Sequence, residues 1–229
     1  MKGKKFIIGI SCILSIVSLS NIYYYSYTDN YYRWKVNYLN KNESIANYIK
    51  ENYKDNSLIV QEGDRAWGYT QLLYGRNIYC TNIYKPAELI KIAQNSNKRF
   101  IILIDTESSG WDKKEQSVLI YDIINEDLYS LYYDNNVIEK QLCEKEIILS
   151  SLVDQNWNKG ISNYEPKLLV ENTFKNKYSL KNGRSIQIGR DKIRINTIQE
   201  TDDWITVECD IKDYLELFQN QSILKVIDE

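Results

Sequence analysis

The chain has 229 residues, of which 43% are hydrophobic and 26% are charged, and its net charge at pH 7 is −2. This length suits one primary domain with a smaller second one. The sequence contains no histidine, which excludes Ser-His-Asp and Cys-His catalysis and removes the commonest zinc ligand. An acidic balance without a basic stripe also argues against nucleic acid as a partner, because its phosphates would have to be neutralised.

An uncharged segment of 23 residues, Phe6–Thr28, stands near the N-terminus. A helix of this length rises about 1.5 Å per residue and can cross a hydrocarbon core of roughly 30 Å. Lysines precede the segment and tyrosines follow it, which favours a cytoplasmic N-terminus under the positive-inside rule. Residues 1–30 are therefore predicted to be a membrane anchor of a single-pass protein, with the lipid bilayer as a partner and the bulk of the chain outside the cytoplasm.

Two alternatives for this segment remain open. Phe6–Val17 has the length of a signal-peptide core, and Ser18–Ser20 supplies the small residues of a cleavage site, which would give a secreted protein. Cys12 would be the attachment point of a lipoprotein anchor. All three interpretations export the remainder of the chain.

Residues 31–153 alternate between helical and strand patterns. Ile45, Ile49 and Tyr53 recur at helical spacing, and Asn42 is placed to cap that helix. The predicted order is helix Asn42–Tyr53, strand Ser57–Gln61, helix Arg65–Tyr74, strand Asn77–Cys80, helix Pro86–Gln94 and strand Arg99–Ile104. Such alternation is typical of a parallel α/β sheet with right-handed crossovers. A helix over Lys113–Asn125, a hairpin of Leu128–Tyr133 with Val137–Gln141, and a returning sheet strand over Glu146–Ser150 complete this domain.

Beyond Asp154 the hydrophobic period changes to two, which indicates strands. The predicted strands are Lys167–Glu171, Arg184–Ile188, Lys192–Thr197, Trp204–Cys209 and Ser222–Val226. Residues 154–229 are therefore predicted to form a small antiparallel β barrel or sandwich, with the boundary between Ser151 and Tyr164. The fold class predicted for the whole chain is α/β: a parallel-sheet α/β domain plus this β-module, behind one N-terminal transmembrane helix.

Acidic residues follow two strands of the predicted parallel sheet. Glu62 and Asp64 come after the first strand, and Asp105 and Glu107 come after the third. Ligands gather at the carboxyl ends of parallel strands, so these four carboxylates could hold a cation or share a proton. The alternative is structural, since Asp64 suits a helix cap and residues 105–110 have the composition of an exposed loop.

Aromatic and polar residues give two further candidate binding positions. Arg65 and Trp67 could face a sugar or an anionic group, although helical spacing also allows Trp67 to be a packing residue. Trp157 is flanked by amides including Asn156, a combination that suits stacking on a sugar ring while the amides meet hydroxyls. A tryptophan at a domain junction could equally join two cores. The candidate ligand-binding residues are thus Arg65, Trp67, Asp105, Asn156 and Trp157, with no metal, cofactor or catalytic residue assigned.

Several segments of the first domain resemble a known family. The predicted span, the helix Asn42–Asn52, the strand Ser57–Val60 and the segment Leu72–Ile78 resemble the soluble extracytoplasmic C-terminal domain of bacterial multi-span glycosyltransferases of the protein-mannosyltransferase type (GT-C). The pattern Asp-x-Asn-Trp-x-x-Gly at 154–160 is similar to the start of a small β-module of bacterial surface proteins. The family resemblance implies a polyprenyl-phosphate sugar donor and catalytic acids on the loops of a multi-span bundle.

One span cannot build such a bundle, so no catalytic residue is carried over from the family. The expected function is that of a membrane-tethered extracytoplasmic accessory or binding protein that is not catalytic by itself. Its expected partners are a cell-surface glycan or a multi-span glycosyltransferase. The alternative is a carboxylate-dependent extracytoplasmic hydrolase that acts on glycans.

Overall fold

The computed structural model describes residues 15–24, 28, 40–62, 74–75, 78–81, 85–104, 118–134, 137–154, 166–210 and 223–228. Residues 15–24 are helical, and three further helical stretches are α1 (residues 40–53), α2 (Pro86–Asn95) and α3 (Phe174–Asn182). The strands are β1 (Ser57–Glu62), β2 (Tyr79–Thr81), β3 (Phe100–Ile104), β4 (Val118–Asp122), β5 (Asp127–Asp134), β6 (Val137–Leu142), β7 (Glu146–Asp154), β8 (Pro166–Glu171), β9 (Ser185–Ile188), β10 (Asp191–Glu200), β11 (Trp204–Cys209) and β12 (Ile223–Ile227).

Six strands form one mixed sheet in the order β2-β1-β3-β4-β5-β6. β1 pairs in parallel with β2 and β3, whereas the three pairs from β3 to β6 are antiparallel. The apolar runs of β1 and β3 suit the parallel half, because such strands need cover on both faces. Ile102 packs on one face with Ile45 and Ile49 of α1, and Ile101 packs on the other face with Leu89 of α2.

The other six strands close a barrel in the order β10-β11-β8-β7-β12-β9. Every neighbouring pair in it is antiparallel. The side chains alternate along each strand, so Ile205 and Val207 of β11 are buried in the barrel while Trp204 is exposed. Closure of the barrel satisfies the backbone groups that an open sheet would leave at its edges.

Helix α3 packs against the sheet on one side and the barrel on the other. Thr173 caps it, since the Thr173 hydroxyl accepts a hydrogen bond of 3.1 Å from the Asn176 amide. Phe174 lies in the hydrophobic cluster of the sheet, where its ring centroid is 4.9 Å from that of Tyr121 in β4. Leu180 lies in the cluster that fills the barrel. One short helix therefore contributes to two cores.

The predicted α/β fold class is wrong, because the described part of the chain is mostly strand. Half of the sheet is an antiparallel meander, and the apolar run within the predicted helix Lys113–Asn125 is strand β4 instead. Its buried apolar residues are β-branched or aromatic, and a run of five cannot distinguish helix from strand by periodicity alone. The predicted sheet strand Glu146–Ser150 belongs to β7 of the barrel. Asn42 is also not a cap, since residues 40 and 41 are already helical.

The predicted localisation requires correction as well. Within the described ranges, no helix is both long enough and apolar enough to cross a membrane. A single-pass protein anchored through Phe6–Thr28 is therefore not supported. Residues 6–14 and 25–27 of that segment lie outside the described residues.

We expect Gly183→Ala to destabilise the protein. Gly183 is buried directly after α3, and a Cβ atom there would lie 1.7 Å from Val226 Cγ1 and 3.0 Å from the Ser179 carbonyl oxygen. Overpacking of this kind costs about 1–3 kcal/mol. Chemical denaturation of the full chain would measure the loss. As the control, Val226→Ala should reduce the cost of the glycine substitution, and an equal cost in both backgrounds would contradict the clash with Val226.

Candidate ligand-binding surface

All five ligand-binding residues predicted from the sequence, Arg65, Trp67, Asp105, Asn156 and Trp157, lie outside the described residues. Of the four predicted carboxylates, only Glu62 belongs to a described element, where it is the last residue of β1. The site hypotheses built on these residues therefore stay predictions.

Three described carboxylates have structural roles. Asp122 is buried and accepts a bidentate ion pair from Arg99, with Nε–Oδ1 and Nη2–Oδ2 distances of 3.0 and 2.7 Å. Burial raises the pKa of Asp122, but hydrogen bonds from Arg99 and from the backbone amides of the following turn outweigh it and hold the pKa below its ordinary value. These contacts fix the β4–β5 turn, so Asp122 stabilises the fold and is not poised as a general acid.

Glu200 and Glu208 are also engaged by neighbouring side chains. Burial raises the pKa of Glu200, yet hydrogen bonds from Lys177 and Asn172 bring it below the ordinary value. The pKa of Glu208 is lowered by its hydrogen bonds with Lys167 and Thr197. A general acid needs a raised pKa, so neither carboxylate suits that role.

Cys143, which is half-buried, and Cys209, which is buried, have the properties of structural thiols. Burial raises the pKa of the Cys143 thiol to about 11 and that of the Cys209 thiol to about 12. Neither is thus a thiolate at neutral pH, which removes the nucleophilic and metal-binding form. Among the residues that the structure describes, no group of three or more acidic or cysteine side chains could hold a metal ion.

A shallow groove of about 350 Å³ lies where β7 and β12 meet. It is lined by Glu144, Lys145, Glu146, Lys225, Val226, Ile227 and Asp228. Lys145 pairs with Asp228, and Lys175 pairs with Glu146 at 3.0 Å. Lys145, Glu146 and Asp228 of the lining are therefore already engaged in ion pairs.

A more selective surface is present on the outer side of the barrel. Trp204, the first residue of β11, has 43% of its surface exposed. Glu171 of β8 lies directly across from it, while Thr206 follows on the same face and is opposite Gln199 of β10. We call this surface, formed by Glu171, Gln199, Thr201, Trp204 and Thr206, the Trp204 face. It combines one large aromatic ring with carboxylate, amide and hydroxyl groups.

The β10–β11 turn holds Trp204 in a fixed position. The Thr201 amide donates to the Trp204 carbonyl oxygen at 2.8 Å, and the Trp204 amide donates to the Thr201 hydroxyl at 3.0 Å. Behind the turn, Asn172 donates from Nδ2 to the Thr201 carbonyl oxygen at 2.7 Å and from its backbone amide to Asp203 at 2.9 Å. Lys85, which precedes α2, pairs with the Asp203 carboxylate at 2.6 Å. The ring is thus presented on a preorganised turn.

Sequence reasoning placed Trp204 at the start of a strand but missed it as a site residue. The information was available, since Ile205, Val207 and Cys209 alternate inward and therefore direct Trp204 outward.

No protein-family model, curated protein or solved structure matches the chain. The resemblance to the extracytoplasmic domain of multi-span glycosyltransferases therefore stays a prediction, and the function is inferred from the geometry of the chain itself.

We expect Asp122→Asn to lower the free energy of unfolding by about 2 kcal/mol at neutral pH, because hydrogen bonds to a charged group contribute about 1.5–3 kcal/mol. The folded-state pKa of Asp122 is depressed, so its contribution is complete above the unfolded value of about 3.9 and is lost as pH falls through the folded value. Denaturation of both proteins at several pH values should show their difference shrinking below about pH 4.

The exposed Asp55 provides the matched control. Asp55→Asn should leave the unfolding midpoint nearly unchanged at neutral pH. A constant difference between wild type and Asp122→Asn from pH 7 to pH 2 would contradict the charge-based role of Asp122.

Proposed function

We propose that the protein is a non-catalytic carbohydrate-binding protein that recognises cell-surface glycan through the Trp204 face. The exposed ring of Trp204 carries the proposal. The face of an indole stacks on the C–H groups of a sugar, while neighbouring amides, hydroxyls and carboxylates can meet the sugar hydroxyls. Gln199, Thr206 and Glu171 supply these groups around the ring.

The rigidity of the scaffold supports this assignment. The Trp204 face belongs to a closed barrel whose turn is fixed by backbone and side-chain hydrogen bonds. A backbone that is already fixed before binding loses little conformational freedom when the ligand binds. A single aromatic platform with a few hydrogen bonds predicts weak affinity, with a Kd of about 0.1–1 mM. Repeated sugar units on a surface glycan would compensate through multivalency.

The same observations favour binding over catalysis. Asp122, Glu200 and Glu208 are held in their charged forms by structural partners. The alternative of a hydrolase depends on Glu62, Asp64, Asp105 and Glu107, of which only Glu62 belongs to a described element, so that alternative stays a prediction. Following the resemblance to outer domains of glycosyltransferases, we place the protein beside glycosyl-transfer machinery as an accessory that engages the glycan rather than making or cleaving it.

We expect Trp204→Ala to weaken glycan binding at least tenfold, since the substitution removes the stacking surface while the strand stays intact. A glycan array with the full chain would identify the strongest ligand, and isothermal titration of that glycan would then measure the change. Trp204→Phe should retain part of the affinity because a smaller ring remains.

Tyr132 is the matched control, because it is another aromatic residue with 52% exposure but lies on β5 of the sheet. Tyr132→Ala should leave binding unchanged. Full binding by Trp204→Ala, or an equal loss in Tyr132→Ala, would exclude the Trp204 face as the recognition surface.

A further inference from the structure

Gln61 lies at the point of the sheet where the connections that leave two neighbouring strands run to opposite sides. It is the fifth residue of β1, with Cys80 of β2 on one side and Ile104 of β3 on the other. The chain that leaves β1 returns in β2, whereas the chain that leaves β3 returns in β4 on the opposite side. In open sheets with parallel strands, ligands bind at the carboxyl ends of strands at such a switch point.

The side chain of Gln61 is buried, and its amide group has no hydrogen-bond partner among the described residues. Its exposure is 0%, and neither Oε1 nor Nε2 has a hydrogen-bond partner within the part of the chain that the structure describes. Along β1 the side chains alternate, so Gln61 points to the same face as Ile59, which packs in the cluster with Ile45 and Ile49 of α1. The unpaired amide is therefore directed into the layer between β1 and α1.

Asn42 of α1 is the second polar group in this layer. It is 3% exposed, and its Oδ1 has no partner among the described residues. Asn42 precedes Ile45 by three residues and Ile49 by seven, so all three lie on the helix face that covers the sheet.

Asn42 and Gln61 lie at the same end of the layer. Tyr53, at the end of α1, and Ser57, at the start of β1, are joined by a 2.9 Å hydrogen bond from the Ser57 hydroxyl to the Tyr53 carbonyl oxygen. From that junction, Asn42 is about 16 Å back along the helix, at about 1.5 Å per residue. Gln61 is about 13 Å along the strand, at about 3.3 Å per residue. Ile45 and Ile49 pack with Ile59, so the helix leads back over the strand, and these two distances place the two amides at a similar height along it.

The unpaired atoms define the chemistry of a matching ligand. Two are acceptors, Asn42 Oδ1 and Gln61 Oε1, and one is a donor, Gln61 Nε2. An anion such as phosphate offers mainly acceptors, which match only the donor, and an ammonium group offers only donors, which match only the acceptors. Hydroxyl groups donate and accept, so two or more of them on one molecule would satisfy all three atoms.

We propose that Asn42 and Gln61 form an interior binding site for a small neutral ligand with several hydroxyl groups, such as a monosaccharide or a polyol. The site uses no residue of the Trp204 face and stands independently of the function proposed for that face. Buried amides without partners destabilise a protein, and a ligand that satisfies them at the switch point would remove this cost.

Thermal unfolding and native mass spectrometry of the full chain test the site with defined probes: glucose, myo-inositol and glycerol as neutral hydroxylated molecules, inorganic phosphate as an anion, and maltotetraose as a glycan chain end. We expect Gln61→Leu to raise the Tm of the ligand-free protein by about 2–6 °C, since it replaces an unpaired amide by an apolar group of similar size. At least one neutral probe should raise the Tm of wild type and appear as a bound mass, and both effects should be lost in Gln61→Leu. A response to maltotetraose but not to the monomers would assign the site to a chain end rather than to a free sugar.

Gln94→Leu, at an exposed position of α2, is the matched control and should change neither the ligand-free Tm nor the response to the probes. If Gln61→Leu does not fold, Asn42→Leu removes an acceptor from the helix side and should likewise abolish the response.

A lower Tm in both leucine variants would show that the amides are paired and would overturn the proposal. A higher Tm of the leucine variants without any probe binding to wild type would indicate that the amides contact only an internal water molecule. A phosphate response equal to that of the sugars would overturn the proposed class of neutral, hydroxylated ligands. Repeating the titration in Trp204→Ala separates this site from the Trp204 face, because the interior response should persist there.

Discussion

Phe174 and Leu180 of α3 lie in different hydrophobic clusters, one belonging to the sheet and the other to the barrel. The two β units therefore share a helix that neither could lose without exposing apolar surface. The polar side of the same helix is equally constrained. Asn176 accepts from the Ile148 amide at 3.0 Å, and the Ser179 hydroxyl accepts from the Glu146 amide and donates to the Glu146 carbonyl oxygen, both at 2.8 Å. These bonds tie α3 to β7 with a directionality that apolar contact alone does not provide.

This arrangement determines which barrel surface is available for recognition. Helix α3 packs against β7 and β12 and is followed by Gly183, whose lack of a side chain permits close approach to Val226. Strands β8, β10 and β11 carry the Trp204 face on their outer side, and the Asn172 side chain links the start of α3 to the turn before Trp204. The helix that joins the two units thus also supports the turn that presents the tryptophan.

Local sequence patterns predicted much of the secondary structure but not the pairing of strands. Trp204–Cys209 was predicted as a strand with its observed bounds, and the apolar spacing of Ile45, Ile49 and Tyr53 indicated the helix over residues 40–53. The strand predicted over Glu146–Ser150 was assigned to the wrong sheet, because one of its partners, β12, lies far away in sequence and no local pattern specifies that pairing. The alternation of β11 was sufficient to direct Trp204 outward. The burial of Gln61 was less accessible to sequence reasoning, since a single glutamine in an apolar strand is informative only when its lack of a hydrogen-bond partner is known.

Trp204 and Gln61 represent opposite relations between a binding residue and the stability of its fold. Trp204 is exposed at the end of a strand, where it adds little to the barrel core, and polar neighbours limit the apolar area that it presents to other molecules. Gln61 and Asn42 occupy positions that apolar residues would stabilise, within a layer otherwise filled by residues such as Ile45, Ile59 and Ile104. A residue of the first kind can change with little consequence for folding, so a substitution there would affect binding alone. A residue of the second kind opposes folding until a ligand satisfies it, so ligand binding and stability are coupled through the same atoms. The proposed coupling would give the interior amides an effect on stability that the Trp204 face does not have.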